Sequence, residues 1–239
     1  MLELLLDGAD RLGLTLTPEQ VRQFQLYYEE LVDWNKRVNL TAITSYEEVQ
    51  LKHFLDSLTI VPVLGGGAWA KRNPLFIDVG TGGGIPGVPL KIVLPEARVV
   101  LLDSVAKKTA CVQHMVNRLG LEQVQVLTAR AEDIAHQPDY REMFDLVVCR
   151  AVSKLATIAE LTLPLCKKGG IVVAPKKGQI ERELSQATKA IDILGGELGE
   201  IREVNLKDLD QHLLVILNKV LPTPSKYPRR AGMPAKHPL

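Results

Sequence analysis

The chain has 239 residues, 46% hydrophobic and 24% charged, with a formal net charge of +1. These are the values of a soluble globular protein with room for one large α/β domain and a small extension, and its apolar runs fall far short of the roughly 20 residues of a membrane span. The charge is uneven: residues 1–69 carry five Lys/Arg against ten Asp/Glu, and the other 170 carry 24 against 18, which makes the later part the better face for a polyanion.

Residues 1–67 are expected to form a helical N-terminal extension. Leu2 to Leu6 is apolar but lacks a basic flank, which argues against a signal peptide. Thr17-Pro18-Glu19-Gln20 combines an N-cap, a first-turn proline and a capping-box glutamine, and Val21, Phe24, Tyr28 and Leu31 follow at helical spacing. Ser45-x-x-Glu48 reads as a second capping box, opening a helix through Leu58. Between them, Lys36 and Arg37 suit a helix C-terminus. His53 and Asp56 share a helix face and, with Ser57, either project toward a cofactor loop or form an ordinary i,i+3 pair. Gly65-Gly66-Gly67 marks a hinge.

Residues 68–220 alternate strand and helix signals, as in a parallel sheet covered on both faces. The organising stretch is Leu75 to Gly87, LFIDVGTGGGIPG. An apolar strand, Leu75–Val79, runs into Gly80, Gly82, Gly83 and Gly84, and a helix starting near Ile85 tolerates Pro86 and Pro89 in its first turn. Strand, glycine turn and helix start form a nucleotide-cofactor loop. Gly80-x-Gly82-x-Gly84 suits S-adenosylmethionine, whereas Gly82-x-Gly84-x-x-Gly87 suits a dinucleotide and leaves an NAD(P)-dependent oxidoreductase open. Asp78 favours the former, because a carboxylate there attracts a methionine ammonium and repels a pyrophosphate. Asp103, ending the strand Val99–Asp103, suits ribose hydroxyls.

Further along, Ser104 is expected to cap a helix that buries Val105, Val112, Met115, Val116 and Leu119 and closes at Gly120. The remaining strands are predicted at Val124–Leu127, Phe144–Cys149, Ile171–Ala174, an extended stretch around Ile201–Leu206, and His212–Lys219, with a helix near Gln179–Leu194. Seven strands ending in an antiparallel pair make the Rossmann-like class I methyltransferase sheet. Glu132 and Ala131, after the third strand, lie where such folds bind adenine. Cys111, Cys149 and Cys166 lack metal-ligand spacing and read as reduced core residues of a cytoplasmic protein without a metal. Residues 221–239 hold prolines and basic residues but no acid, the composition of a disordered or loosely extended tail in which Lys226, Arg229, Arg230 and Lys236 are candidate phosphate contacts.

The end of the fourth strand, where such enzymes hold the acceptor, reads Cys149-Arg150-Ala151-Val152. It lacks the Asn/Asp-Pro-Pro-aromatic set for exocyclic amines, a proline-preceded nucleophilic cysteine, and a His/carboxylate set for a hydroxyl. An acceptor that needs no deprotonation fits best, and guanine N7 is one.

These residues carry a resemblance. Trp34-Asn35-Lys36-x-x-Asn39-Leu40-Thr41, His53-x-x-Asp56-Ser57-Leu58, Asp78 to Gly87, Arg130-Ala131-Glu132, Arg150-Ala151-Val152 and Pro224-x-x-Tyr227-Pro228-Arg229 make the chain similar to the glucose-inhibited division protein B family of ribosomal RNA small-subunit methyltransferases. The resemblance implies S-adenosylmethionine-dependent N7 methylation of one guanine in the 530 loop of 16S rRNA, naked or in the 30S particle, by a cytoplasmic protein expected to be monomeric. It implies cofactor contacts at Gly80, Ile85, Ala131, Glu132 and Arg150, pocket roles for His53, Asp56, Asn35 and Asn39, and RNA contact by the tail. Family members often read Ala-Leu-Lys-Gly after the fifth strand; here the sequence is Ala174-Pro175-Lys176-Lys177-Gly178, which leaves the choice between Lys176 and Lys177 open.

Overall fold

The structure, a computed structural model, describes residues 2–65, 73–150 and 153–239. Strands β1 (Leu75–Val79), β2 (Arg98–Asp103), β3 (Val124–Thr128), β4 (Phe144–Val148) and β5 (Cys166–Lys176) pair in parallel. With β6 (Gly196–Val204) and β7 (His212–Lys219) they form one seven-stranded sheet of order β3-β2-β1-β4-β5-β7-β6. β7 lies antiparallel to both β5 and β6. The strand order reverses at β1, which lies between β2 and β4, so a crevice opens at the carboxyl ends of these strands.

Because successive strand residues point to opposite faces, each apolar strand feeds two cores. Phe76, Val99, Leu101, Leu146, Val148 and Leu214 join one cluster with the N-terminal helices; Ile77, Val100, Leu102, Val147, Val215 and Leu217 join the other. The first face carries α1 (Glu3–Arg11), α2 (Pro18–Asn35), α3 (Tyr46–Val49) leading through a π-helical turn (Gln50–Leu55) into α4 (Asp56–Leu58), then α5 (Gly87–Val93) and α6 (Ala106–Arg118). The second carries α7 (Ala131–Ile134), α8 (Leu155–Thr162) and α9 (Glu181–Ile193).

The capping box at Thr17 forms: Gln20 N donates to Thr17 Oγ1 (3.2 Å) and Thr17 N to Gln20 Oε1 (2.9 Å). The same glutamine donates to Ile92 O at 2.9 Å, so a local start signal also ties α2 to α5. Two other caps differ from expectation. Ser45 Oγ donates to the Glu48 carboxylate at 3.0 Å and makes no backbone cap. Ser104 is displaced as cap by Val105, 44% exposed, whose N–H goes to Asp103 Oδ1 at 2.9 Å. β5 begins five residues earlier than predicted, at Cys166, because Lys167-Lys168-Gly169 continues the strand with Gly169 at φ +82°.

The largest difference is the tail. It packs on the second face, with Tyr227 buried and a last short helix, α10 (Met233–Lys236). Its proline-rich backbone has few internal hydrogen bonds, so its carbonyls are satisfied from outside. The Arg141 guanidinium donates to Thr223 O (2.7 Å) and Tyr227 O (2.9 Å), and His136 Nε2 pairs with Pro228 O at 2.8 Å. Partners more than 80 residues away are what composition cannot reveal. Of the expected hinge, Gly65 has φ +72°, and Gly66 and Gly67 lie outside the described residues.

Candidate active site

The glycine loop leaves β1 anchored to the neighbouring strand: Gly80 N and Thr81 N both donate to Leu102 O, at 2.8 and 2.9 Å. Gly80, Gly82 and Gly84 all have positive φ (+79°, +59° and +95°), where a side chain is strained. They serve two purposes. A Cβ added at Gly80 would meet nothing within 4 Å, and one at Gly82 only Gly80 O at 3.9 Å, so the front of the loop borders open space. At Gly84 a Cβ would strike Val88 and the Tyr27 hydroxyl, and at Gly87 the Asp78 carboxylate at 2.8 Å, so these two allow close packing behind the loop. Ile85, beside them, is buried. The helix starts at Gly87, two residues later than expected.

Asp78 lies beneath this loop rather than on it. It is fully buried, and its Oδ2 accepts from Thr81 Oγ1 (2.6 Å) and Gly87 N (2.9 Å). Its Oδ1 is buried with no hydrogen-bond partner. Burial drives the pKa up to about 6 against the opposing hydrogen bonds from Thr81 and Gly87. Asp78 is therefore a buttress that holds both ends of the loop, with one acceptor left over. Asp103 does reach the loop: Oδ2 accepts from Gly82 N at 3.0 Å while Oδ1 accepts from Val105 N. Each oxygen keeps a second lone pair for a ribose hydroxyl. The open front of the loop, the orphaned carboxylate oxygen behind it and Asp103 at its edge fit a cationic nucleoside cofactor such as S-adenosylmethionine. Ala131 is buried, and Glu132 Oε1 is already engaged by Gly232 N at 2.9 Å, a tail contact the sequence does not announce.

Arg150, at the end of β4, binds the N-terminal helices. Nη1 donates to Lys52 O and to Asp56 Oδ2, both at 3.0 Å, and Nη2 lies 3.1 Å from His53 Nδ1. His53 Nδ1 also lies 3.1 Å from Lys52 O, and its Nε2 pairs with Thr41 Oγ1 at 2.7 Å. Burial, reinforced by the adjacent Arg150 charge, pushes His53 down to about 4, so the ring is neutral at pH 7. Asn35 Oδ1 accepts from Leu40 N and Thr41 N, which makes it a scaffold for Thr41. His53 and Asp56 thus fix the arginine, and Ala151 and Val152, which follow it, lie outside the described residues.

Beside this network lies a cavity of about 980 Å³, lined by Asp56, Arg150, Lys176, Lys177, His212 and Ala235 among others. His212 is a site residue that the sequence reading treated only as a strand start. Its Nδ1 donates to Asp210 O at 3.0 Å, while its buried Nε2, 3.5 Å from Asp56 Oδ1, has no hydrogen-bond partner. The two lysines differ. Lys176 is enclosed and donates to Glu183 and Ser153 O; Lys177 is exposed and pairs with Asp210 at 2.8 Å. Lys176 is the lysine at the cavity wall, and Lys177 lies at the rim.

Of the candidate RNA contacts, Lys226, Arg230 and Lys236 are exposed. Arg229 turns inward: its guanidinium and backbone amide grip the fully buried Glu160 carboxylate at 2.6–2.9 Å, so it holds the tail in place. All three cysteines are buried, and burial raises the Cys111 and Cys166 thiols to about 12. Among the described residues no helix is long and apolar enough to cross a membrane, and no group of three His, Cys, Asp or Glu side chains is placed to hold a metal.

Residues 20–214 match the protein family described as rRNA small subunit methyltransferase G. A protein of that name from Dehalococcoides mccartyi (strain CBDB1) is 48% identical over 233 residues, 97% of each chain. Another, from Roseiflexus sp. (strain RS-1), is 45% identical over 238 residues, covering 100% of each chain. Among solved structures, a SAM-dependent O-methyltransferase from Thermotoga maritima aligns with a TM-score of 0.52 at 16% identity, over 81% of this chain and 72% of its own. A 16S rRNA (adenine(1408)-N(1))-methyltransferase from Catenulisporales acidiphilia gives 0.51 at 18%, over 65% and 90%. At such identities these two share the fold alone.

Proposed function

Because the chain belongs to the rRNA small subunit methyltransferase G family, we propose that it transfers a methyl group from S-adenosylmethionine to N7 of a guanine in the 530 loop of 16S rRNA, acting in the cytoplasm on the rRNA or the 30S particle. The observation that supports this reading is the nearness of two features at the carboxyl edge of the sheet: the glycine loop after β1, open at Gly80 and Gly82, and the cavity beyond the ends of β4 and β5 and the start of β7.

The bound cofactor supplies an electrophilic methyl on a sulfonium. The protein then has two tasks, to hold the reactants in line and to accommodate the charge that the base acquires. Guanine N7 attacks through an in-plane lone pair, so no residue need remove a proton, and alignment can contribute about 7–11 kcal/mol in favourable cases. Two of the cavity's cations are paired, Arg150 with Asp56 at 3.0 Å and Lys176 with Glu183 at 2.5 Å, and Lys52, Lys154 and Lys177 line it as well. A wall that carries charges of both signs, with cations in excess, suits an anionic nucleotide and keeps carboxylates near a base that becomes cationic on methylation. Arg150, held by three separate partners, is a rigid donor at this wall, and Lys176 is held by two, Glu183 and Ser153 O.

Methyl transfer from labelled S-adenosylmethionine to naked 16S rRNA and to 30S particles, with chemical cleavage at 7-methylguanosine, tests the reading. Label at one 530-loop guanine is the expected result. Cofactor binding without label on either substrate overturns it.

A further inference from the structure

One side of the large cavity comes from neither the sheet nor its crossover helices. Ala235, which lines it, belongs to α10 in the C-terminal segment. That segment is fixed along its length. Arg229 donates three hydrogen bonds to Glu160, a carboxylate with no exposed surface. Gly232 N donates to Glu132 Oε1 at 2.9 Å, and Thr157 Oγ1 donates to Pro234 O at 2.9 Å. Beyond α10, Pro238 and Leu239 lie beside Lys154 and Glu183 around a smaller cavity. A buried carboxylate is tolerated only while its cation stays in place, so Glu160 makes docking of the segment obligatory. Ending the chain after β7 would require no such acid.

We propose that the docked C-terminal segment, keyed by Glu160 and Glu132, sets Ala235 as a built wall of the acceptor cavity that positions the acceptor nucleotide; this rests on the methyl-transfer reading above. Ile43, Pro175, Leu209 and Ala235 give the cavity apolar surface, while Asp56 and Arg150 give it fixed polar groups. Apolar surface for a ring face and polar groups for its edge suit an unstacked purine nucleotide from a single-stranded RNA loop. Glu160 and Glu132 are positioning residues, since they act through the segment they hold. Glu132 stands next to the cofactor side, and its bond to Gly232 joins that side to the wall.

Ala235→Trp tests the wall at an exposed position, where folding tolerates a large side chain, and Ala231→Trp is its control, equally exposed but absent from the cavity lining. Cofactor Kd by titration calorimetry, kcat and KM for RNA, and the salt dependence of RNA binding are measured on each. For Ala235→Trp we expect kcat/KM to fall about tenfold or more, as overpacking a fitted site does, with cofactor Kd and salt slope at wild-type values. Ala231→Trp keeps the wild-type kcat/KM. Deleting residues 233–239, which spares the Arg229–Glu160 pair, should raise KM while cofactor Kd holds. Wild-type kcat/KM in Ala235→Trp overturns the wall alone. A flattened salt slope without the loss of kcat/KM also overturns it, in favour of a phosphate-binding arm. Wild-type protein that transfers no methyl overturns the functional reading and the wall with it.

Discussion

Asp78 is ionised at neutral pH against its surroundings. Its folded pKa of about 6 exceeds the ordinary 3.8, because burial outweighs the hydrogen bonds from Thr81 and Gly87. A raised folded pKa means that the group favours folding below pH 3.8 and that this contribution is lost as pH rises through 6. Asp78→Asn keeps an acceptor for Thr81 and Gly87 and removes the buried charge. At pH 8 the cofactor-free variant should gain on the order of 2 kcal/mol, a Tm rise of several degrees for a chain this long. The gain should shrink as pH falls below 6 and vanish near pH 4. Equal thermal shifts at pH 8 and pH 4.5 would show that Asp78 is not the ionising group. The position of this carboxylate, two residues before the first loop glycine, was readable from sequence, and so was that of Asp103. What each touches was only partly readable. Asp103 meets Gly82 within a local strand-to-loop frame, but Glu132 meets Gly232 across 100 residues, and no local pattern encodes that pairing.

Strands and helices were most legible where a periodic apolar run stood between strong breakers, as at β1 and at β7, whose predicted and observed limits agree. They were least legible where a residue serves a neighbouring element. Lys219, the last residue of β7, is such a case. Its buried ammonium donates to Leu163 O and Leu194 O, which end α8 and α9, and reaches Thr223 and, at 3.1 Å, Glu142. Orphaned carbonyls at two helix ends are thus satisfied by a strand residue, while burial lowers the lysine's pKa. A sequence reader sees only a charged strand end. Lys219→Met fills a similar volume but takes the ammonium from Leu163 O and leaves the Glu142 carboxylate without its cation, while Thr223 still donates to Leu194 O and, through its amide, to Glu142. The expected loss is about 3 kcal/mol, seen as a Tm drop of roughly 6–12 °C with cofactor affinity kept in the folded fraction. A shift below about 2 °C would mean that water or other donors take over these groups.

The two ends of the chain cover opposite faces of the sheet and meet at its carboxyl edge. Leu31, Phe54 and Leu58 from the N-terminal helices share one apolar cluster with Phe76, Val88 and Leu101, and Tyr227 from the tail joins the other. Composition separates both ends from the centre, the first by its acidic balance and the second by its prolines, and that contrast suggests modules. Shared cores and the Arg150–Asp56 bridge argue the reverse. A sheet face loses its cover if the N-terminal helices leave, and Arg150 then loses all three of its partners on them. Unfolding should therefore be one cooperative transition, with calorimetric and van't Hoff enthalpies equal. Native-state hydrogen exchange should give α2 and β1 similar opening free energies, because neither can open without exposing the cluster they share. Two resolved transitions, the earlier confined by exchange to residues 2–58, would show that the helical extension is an autonomous unit. Arg150 would then be presented to the cavity by a clamp able to detach while the cofactor loop stays folded.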